Sequence, residues 1–183
     1  MSRKIQTKDL TLTAVSAAMI CVAGPLSVPV GPVPISLATF AVYLAGAVLG
    51  PKRGTAAAAL YLLIGIAGVP VFSGFSGGFQ KLAGVTGGYL AGYLPCALLS
   101  GLGAEMKTES RAGRWLLPAM MAAGTLVLYA VGTAWFMLQT GNAFGAALSL
   151  CVLPFLPGDA AKIAAASLLA GPIRKALRMQ RVQ

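Results

Sequence analysis

The sequence predicts an all-α integral membrane protein. Six transmembrane helices form a single membrane domain over residues 1–183, with a short re-entrant or interfacial helix ahead of the sixth. Three observations carry this expectation. The 183 residues are 57% hydrophobic and 10% charged, with a mean hydropathy of +0.81, whereas a soluble domain carries about a quarter charged residues. The apolar residues fall in runs near the length of about 20 that spans a hydrocarbon core. The basic residues stand between those runs, in short clusters.

The first run, Leu10 to Leu26, follows Arg3, Lys4 and Lys8 and gives way to a Pro/Gly-rich turn from Val28 to Pro34. It is too continuous with Gly24-Pro25 to read as a cleavable leader, and is expected to be retained as the first helix. A second run, Ile35 to Leu49, ends at Gly50-Pro51 beside Lys52 and Arg53. The third, Thr55 to Phe72, leads into a Gly/Ser segment from Ser73 to Gly78, followed by Lys81. The fourth, Leu82 to Leu102, closes on a polar loop with Glu105, Lys107, Glu109, Arg111 and Arg114. The fifth, Trp115 to Leu138, is the longest. Ala143 to Leu153 is too short to cross, and is the expected re-entrant or interfacial helix. The sixth span opens at Pro157, a favoured first helical position, and runs to Leu177 among Arg174, Lys175, Arg178 and Arg181.

With both termini cytoplasmic, every basic residue except Lys81 and Lys162 falls on the inner side, the bias of the positive-inside rule. The outer face then holds the Pro-rich turn, the Gly/Ser segment and the region from Phe144 to Pro157. Irregular backbone at membrane depth survives where protein or a wet cavity satisfies it, so these segments predict an outward-facing binding cavity.

Several classes of function are excluded. The net charge of +10 lacks the basic stripe interleaved with aromatics that nucleic acid requires. Without histidine, and with Cys21, Cys96 and Cys151 far apart in apolar runs, no zinc site is expected. No Walker A or dinucleotide fingerprint occurs, and no catalytic constellation stands within the spans, so neither cofactor nor enzymatic turnover is expected.

The strongest candidate feature is Asp159 with Lys162, the sole charges between Arg114 and Arg174. Their i,i+3 spacing puts them on one helical face. A charge at a span's centre costs about 2.5–3.5 kcal/mol, so the two face the bundle interior, paired with each other or with a ligand. A structural ion pair near the helix N-terminal dipole is the plainer alternative. A second feature runs from Ser73 through Phe75, Ser76, Gly77-Gly78 and Gln80 to Thr86-Gly87-Gly88-Tyr89, where paired glycines permit close backbone approach or tight helix packing. The third is Ala14 and Ala18, a small-xxx-small pair that admits close approach of another helix, in this chain or in a partner.

Five stretches, in order, resemble the BioY family, the biotin-specific S components of energy-coupling factor (ECF) transporters. They are Gly31-Pro-Val-Pro-Ile-Ser-Leu37, Ala45-Gly-Ala-Val-Leu-Gly-Pro-Lys-Arg-Gly54, Gly65-Ile-Ala-Gly-Val-Pro-Val-Phe72, Gly84-Val-Thr-Gly-Gly-Tyr-Leu90 and Phe155-Leu-Pro-Gly-Asp-Ala-Ala-Lys162. The resemblance covers nearly the whole chain and implies the six-helix S-component fold in a prokaryotic plasma membrane. It implies biotin as the transported ligand near the outer face, and a transmembrane coupling subunit with two ATPase subunits as partners. Ala14 and Ala18 would form the docking surface. Asp159 and Lys162 would contact biotin, with Ser76, Thr86, Tyr89, Gln80 and Phe75 as further candidates and Phe72, Phe79 and Tyr93 as possible ring-packing aromatics. The chain departs from the family's pattern at Ala38, where many relatives carry glutamine, and at Ser76, where some carry asparagine. An S component for another small vitamin and a non-transporting membrane scaffold are the competing readings. Lys162, with three donors, suits either biotin's ureido oxygen or its carboxylate.

Overall fold

A computed structural model describes residues 7–29, 32–106 and 111–179. Arg3, Lys4, Gly31, Lys107, Glu109 and Arg181 lie outside the described residues. The described chain forms eight helices and one small hairpin. Six helices are long: α1 (Thr7–Ala23), α2 (Ala38–Leu49), α3 (Pro51–Ile66), α5 (Gly87–Glu105), α6 (Arg111–Thr140) and α8 (Leu156–Met179). Two are short, α4 (Phe79–Ala83) and α7 (Phe144–Cys151), and the strands β1 (Ser27–Val28) and β2 (Ile35–Ser36) pair antiparallel.

The six longer apolar runs correspond in order to the six long helices but differ from them in extent, and α4 has no run of its own. The second run yields its first residues to β2, and α2 begins at Ala38. The third ends early: Gly68, at φ 104°, turns the chain into a loop closed by the bridge between Phe72 and Ser76. The fourth surrenders Leu82 and Ala83 to α4. Among the described residues one helix, Trp115–Thr140, is long and apolar enough to cross a bilayer alone. The α7–α8 pair passes the same test as one span bent by 50°. At 1.5 Å rise per residue, α1, α2 and α3, with 17, 12 and 16 residues, reach about 25, 18 and 24 Å, short of a typical core of about 30 Å.

α2 is the centre of the bundle. It packs on α1, α3, α5 and α8, and its residues from Ala41 to Ala47 are all buried. Such close packing depends on missing side chains: a Cβ on Gly46 would strike the Ala97 carbonyl of α5 and the backbone of Gly54 approaches from α3. The seam between α5 and α6 works the same way, with Gly88 against Trp135, Gly92 against Leu128 and Gly132 against the Tyr89 ring. Small residues of this kind let membrane helices approach closely where lipid supplies no hydrophobic drive between them.

The two ends of the bundle differ. At one end Arg53 of α3 pairs with Asp9 of α1, and Arg174 of α8 donates to the Ala104 carbonyl of α5. The opposite end gathers the β1–β2 hairpin, the loop from Val69 to Thr86 with α4, and the junction of α7 with α8. These are the segments from which a roofed cavity was expected.

A candidate ligand cavity at the loop-rich end of the bundle

Asp159 lies in the first turn of α8 and is 4% exposed. Its Oδ1 accepts from Lys162 Nζ at 2.9 Å, and its Oδ2 accepts from the Tyr129 hydroxyl of α6 at 2.6 Å. Lys162 Nζ donates twice more, to the Ser36 carbonyl at 2.7 Å and to Thr39 Oγ1 at 3.0 Å. An ammonium has three donors and a carboxylate about four acceptor sites. The lysine is therefore fully engaged, and the carboxylate retains about half of its acceptor capacity.

Local structure positions each partner. Ser36 Oγ accepts from the Ala38 amide and donates to the Gly24 carbonyl, so one side chain starts α2 and ties the hairpin to the end of α1. That leaves the Ser36 carbonyl to receive Lys162. Thr39 is the second residue of α2, and its Oγ1 also donates to the Ser36 carbonyl, at 3.4 Å. Tyr129 stands between Thr125 and Thr133 on one face of α6. Thr125 shares a 2.6 Å hydrogen bond with Tyr43 of α2, and Thr133 lies 3.0 Å from the Tyr89 hydroxyl.

Above this network lies an open-mouthed cavity, whose non-atom space, counted together with the solvent at its mouth, is about 620 Å³. Asp159, Lys162 and Tyr129 meet Phe72, Tyr89, Tyr93 and Phe155 in its walls. Of the residues singled out from sequence, Asp159, Lys162, Ser76, Thr86 and Tyr89 come together here. Their roles differ. Ser76 Oγ donates to the Ser73 carbonyl, and the Tyr89 hydroxyl also reaches the Cys151 carbonyl of α7, so Tyr89 offers the cavity its ring while its hydroxyl holds neighbouring helices. Gln80 and Phe75 do not line the cavity. Both are exposed, and Phe75, at φ 56° and 70% exposure, forms the outer tip of the hairpin loop. Phe79 is also exposed, while Phe72 and Tyr93 are walls.

Sequence reasoning missed Thr39, Tyr129 and Lys81. Tyr129 had a signal: Thr125, Tyr129 and Thr133 recur every fourth residue in an otherwise apolar span, and polar stripes in spans face the interior. Lys81 reads in the sequence only as an outer-loop charge. Ala14 and Ala18 lie apart from the cavity, exposed on α1, whose Thr13, Ala17 and Ile20 face the bundle.

The helix arrangement and the site define a class. Superposition on the crystal structure of an S component for biotin from an ECF-type ABC transporter gives a TM-score of 0.82, with 30% identity, covering 96% of this chain and 95% of that one. The fold is that of the S components. The BioY family model matches residues 1–179. Two relatives span most of both chains: a biotin transporter BioY of Thermotoga maritima, 41% identical over 92% of this chain and 96% of its own, and a probable biotin transporter BioY of Pyrococcus horikoshii, 39% identical over 91% and 96%. This chain belongs to the BioY family.

The polar network makes a stability prediction. Lys162→Met strands a buried carboxylate, a loss of about 3–5 kcal/mol for a broken buried pair. Combining it with Asp159→Asn removes both charges and should restore most of that loss. Thermal unfolding midpoints in detergent are expected to be lower for K162M than for D159N/K162M; equal midpoints would show that the pair is not coupled.

Proposed function

We propose that this chain captures biotin at the outer face of a prokaryotic plasma membrane and delivers it inward as the S component of an ECF importer. One observation carries the reading. A buried carboxylate with spare acceptor capacity faces an aromatic-walled cavity in a chain whose relatives are named biotin transporters. Biotin's ureido ring presents two N–H donors and its thiophane ring an apolar body. Asp159 accepts the ureido N–H groups, and Phe72, Tyr89 and Tyr93 enclose the rings. Ser76 and Thr86 line the approach. Lys162 aims Asp159 and ties α8 to α2, since its three donors already have partners.

Hydrogen bonds to a charged group contribute about 1.5–3 kcal/mol. Nanomolar binding needs about 12 kcal/mol, so ring burial supplies most of the remainder. The BioY relatives are named transporters, which supports a role in capture and transport rather than turnover.

In this reading the six long helices cross the membrane, α7 leads into α8 as a bent entry, and both termini are cytoplasmic. The charge distribution supports that orientation. Arg53, Asp9 and Arg174 cluster at the end opposite the cavity. The shorter helices fit where the outer loops and α4 complete the depth of the fold. Ala14 and Ala18, on the exposed face of α1 beside Val15 and Val22, give the coupling subunit a smooth surface, and two ATPase subunits power reorientation.

Calorimetric titration in detergent tests the ligand, with thiamine and riboflavin as controls. The protein is expected to bind biotin alone, and Asp159→Asn to weaken that binding about ten- to a hundredfold, the worth of hydrogen bonds to a charged acceptor. Undiminished affinity in folded D159N would exclude Asp159 from recognition. For the docking surface, Ala14→Leu/Ala18→Leu is expected to leave biotin affinity intact and to abolish most uptake in cells expressing the coupling module; full uptake would refute the assignment.

A further inference from the structure

Three charged residues line the cavity: Asp159, Lys162 and Lys81. The first two neutralise each other at 2.9 Å, so the cavity carries one net positive charge, supplied by Lys81. Among the described residues no carboxylate pairs with Lys81. Asp9 is committed to Arg53, Glu105 reaches toward Gly50 at the α2–α3 turn, and Asp159 is held by Lys162 and Tyr129. Lys81 is exposed, at the mouth, whereas Asp159 is at the buried end.

The position of Lys81 is built. Its helix, α4, is fastened to α6 by two side chains. Trp135 Nε1 donates to the Gly84 carbonyl at 2.9 Å, and Gln139 Nε2 to the Ala83 carbonyl at 2.6 Å. The Lys81 amide donates to the Gly78 carbonyl, and its own carbonyl accepts from Thr86 Oγ1. The short helix therefore fixes the backbone of Lys81, an exposed residue that lines the cavity.

Resting on the biotin reading above, we infer that Lys81 is the specificity-determining partner of the ligand's carboxylate. It fixes the ligand with its ureido ring inward on Asp159 and its acid tail outward. A cavity with one excess positive charge favours a monoanion, and among the described residues that line it the cation with uncommitted donors is the exposed Lys81, on the side where a tail would emerge. Lys162 cannot take that role without giving up the Asp159, Thr39 or Ser36 bond. A rim charge also acts through encounter, raising the association rate of an anion in a salt-dependent way.

The test compares biotin with biotin methyl ester, which keeps the rings and loses the charge. Lys81→Met is expected to weaken biotin about fivefold, near the upper end for an exposed ion pair, and to leave the ester's affinity unchanged. Lys81→Arg should preserve the wild-type preference for the acid, and added salt should erode it. Equal effects of K81M on acid and ester, or no effect on either, would overturn the assignment while wild-type biotin binding kept the broader reading intact. Failure of the wild type to bind biotin would overturn both.

Discussion

An ion pair removed from water must be answered in place, and in this fold the answer to Asp159 and Lys162 determines how three helices meet. Desolvating the two charges is expensive, and their mutual attraction offsets that cost only when the remaining donors and acceptors are satisfied. Lys162 satisfies its own by crossing to α2 and the hairpin ahead of it, through Thr39 and the Ser36 carbonyl. Asp159 satisfies part of its own through Tyr129 on α6. The pair thus pins α8, α6 and α2 at the end of the bundle where the loops gather. What remains unsatisfied on the carboxylate faces the cavity.

The glycine seams make that convergence possible. α2 can sit at the centre, touching four helices, because Gly46 presents no side chain to α5 and Gly54 none to α2. Gly88 and Gly132 let α5 and α6 close on Trp135 and Tyr89. The same contacts position Tyr89 as a wall and Trp135 as an anchor for α4. Packing along the bundle and the shape of its open end are therefore one set of constraints.

How much of this could be read from the chain follows from the kind of signal each part carries. The helices were legible because apolar runs and basic punctuation are written locally, and Asp159 with Lys162 because charges in apolar context are rare. Their mutual bond follows from i,i+3 spacing. The partners of Lys162 were not legible, since a backbone carbonyl at Ser36 leaves no mark in composition and lies 126 residues away. Helix ends also escaped, because Ile35 and Leu82 are apolar whether they sit in a span, a strand or a short turn of helix. Phe75 and Gln80 belong to the glycine segment, but the tight hairpin between Phe72 and Ser76 turns Phe75 outward. Thr39 and Lys81 enter the site only through the tertiary arrangement, whereas Tyr129 is marked by its place in the polar stripe of α6.

The central claim is that a half-satisfied buried carboxylate, aimed by Lys162 and Tyr129, receives the ligand's polar ring. A structure of the protein with biotin bound tests it most directly. The account predicts ureido nitrogens at about 3 Å from Asp159, the thiophane ring among Phe72, Tyr89 and Tyr93, and the carboxylate beside Lys81. Biotin bound in the reverse sense, with its carboxylate on Lys162 and its ureido ring at the mouth, or bound outside this cavity, would contradict it.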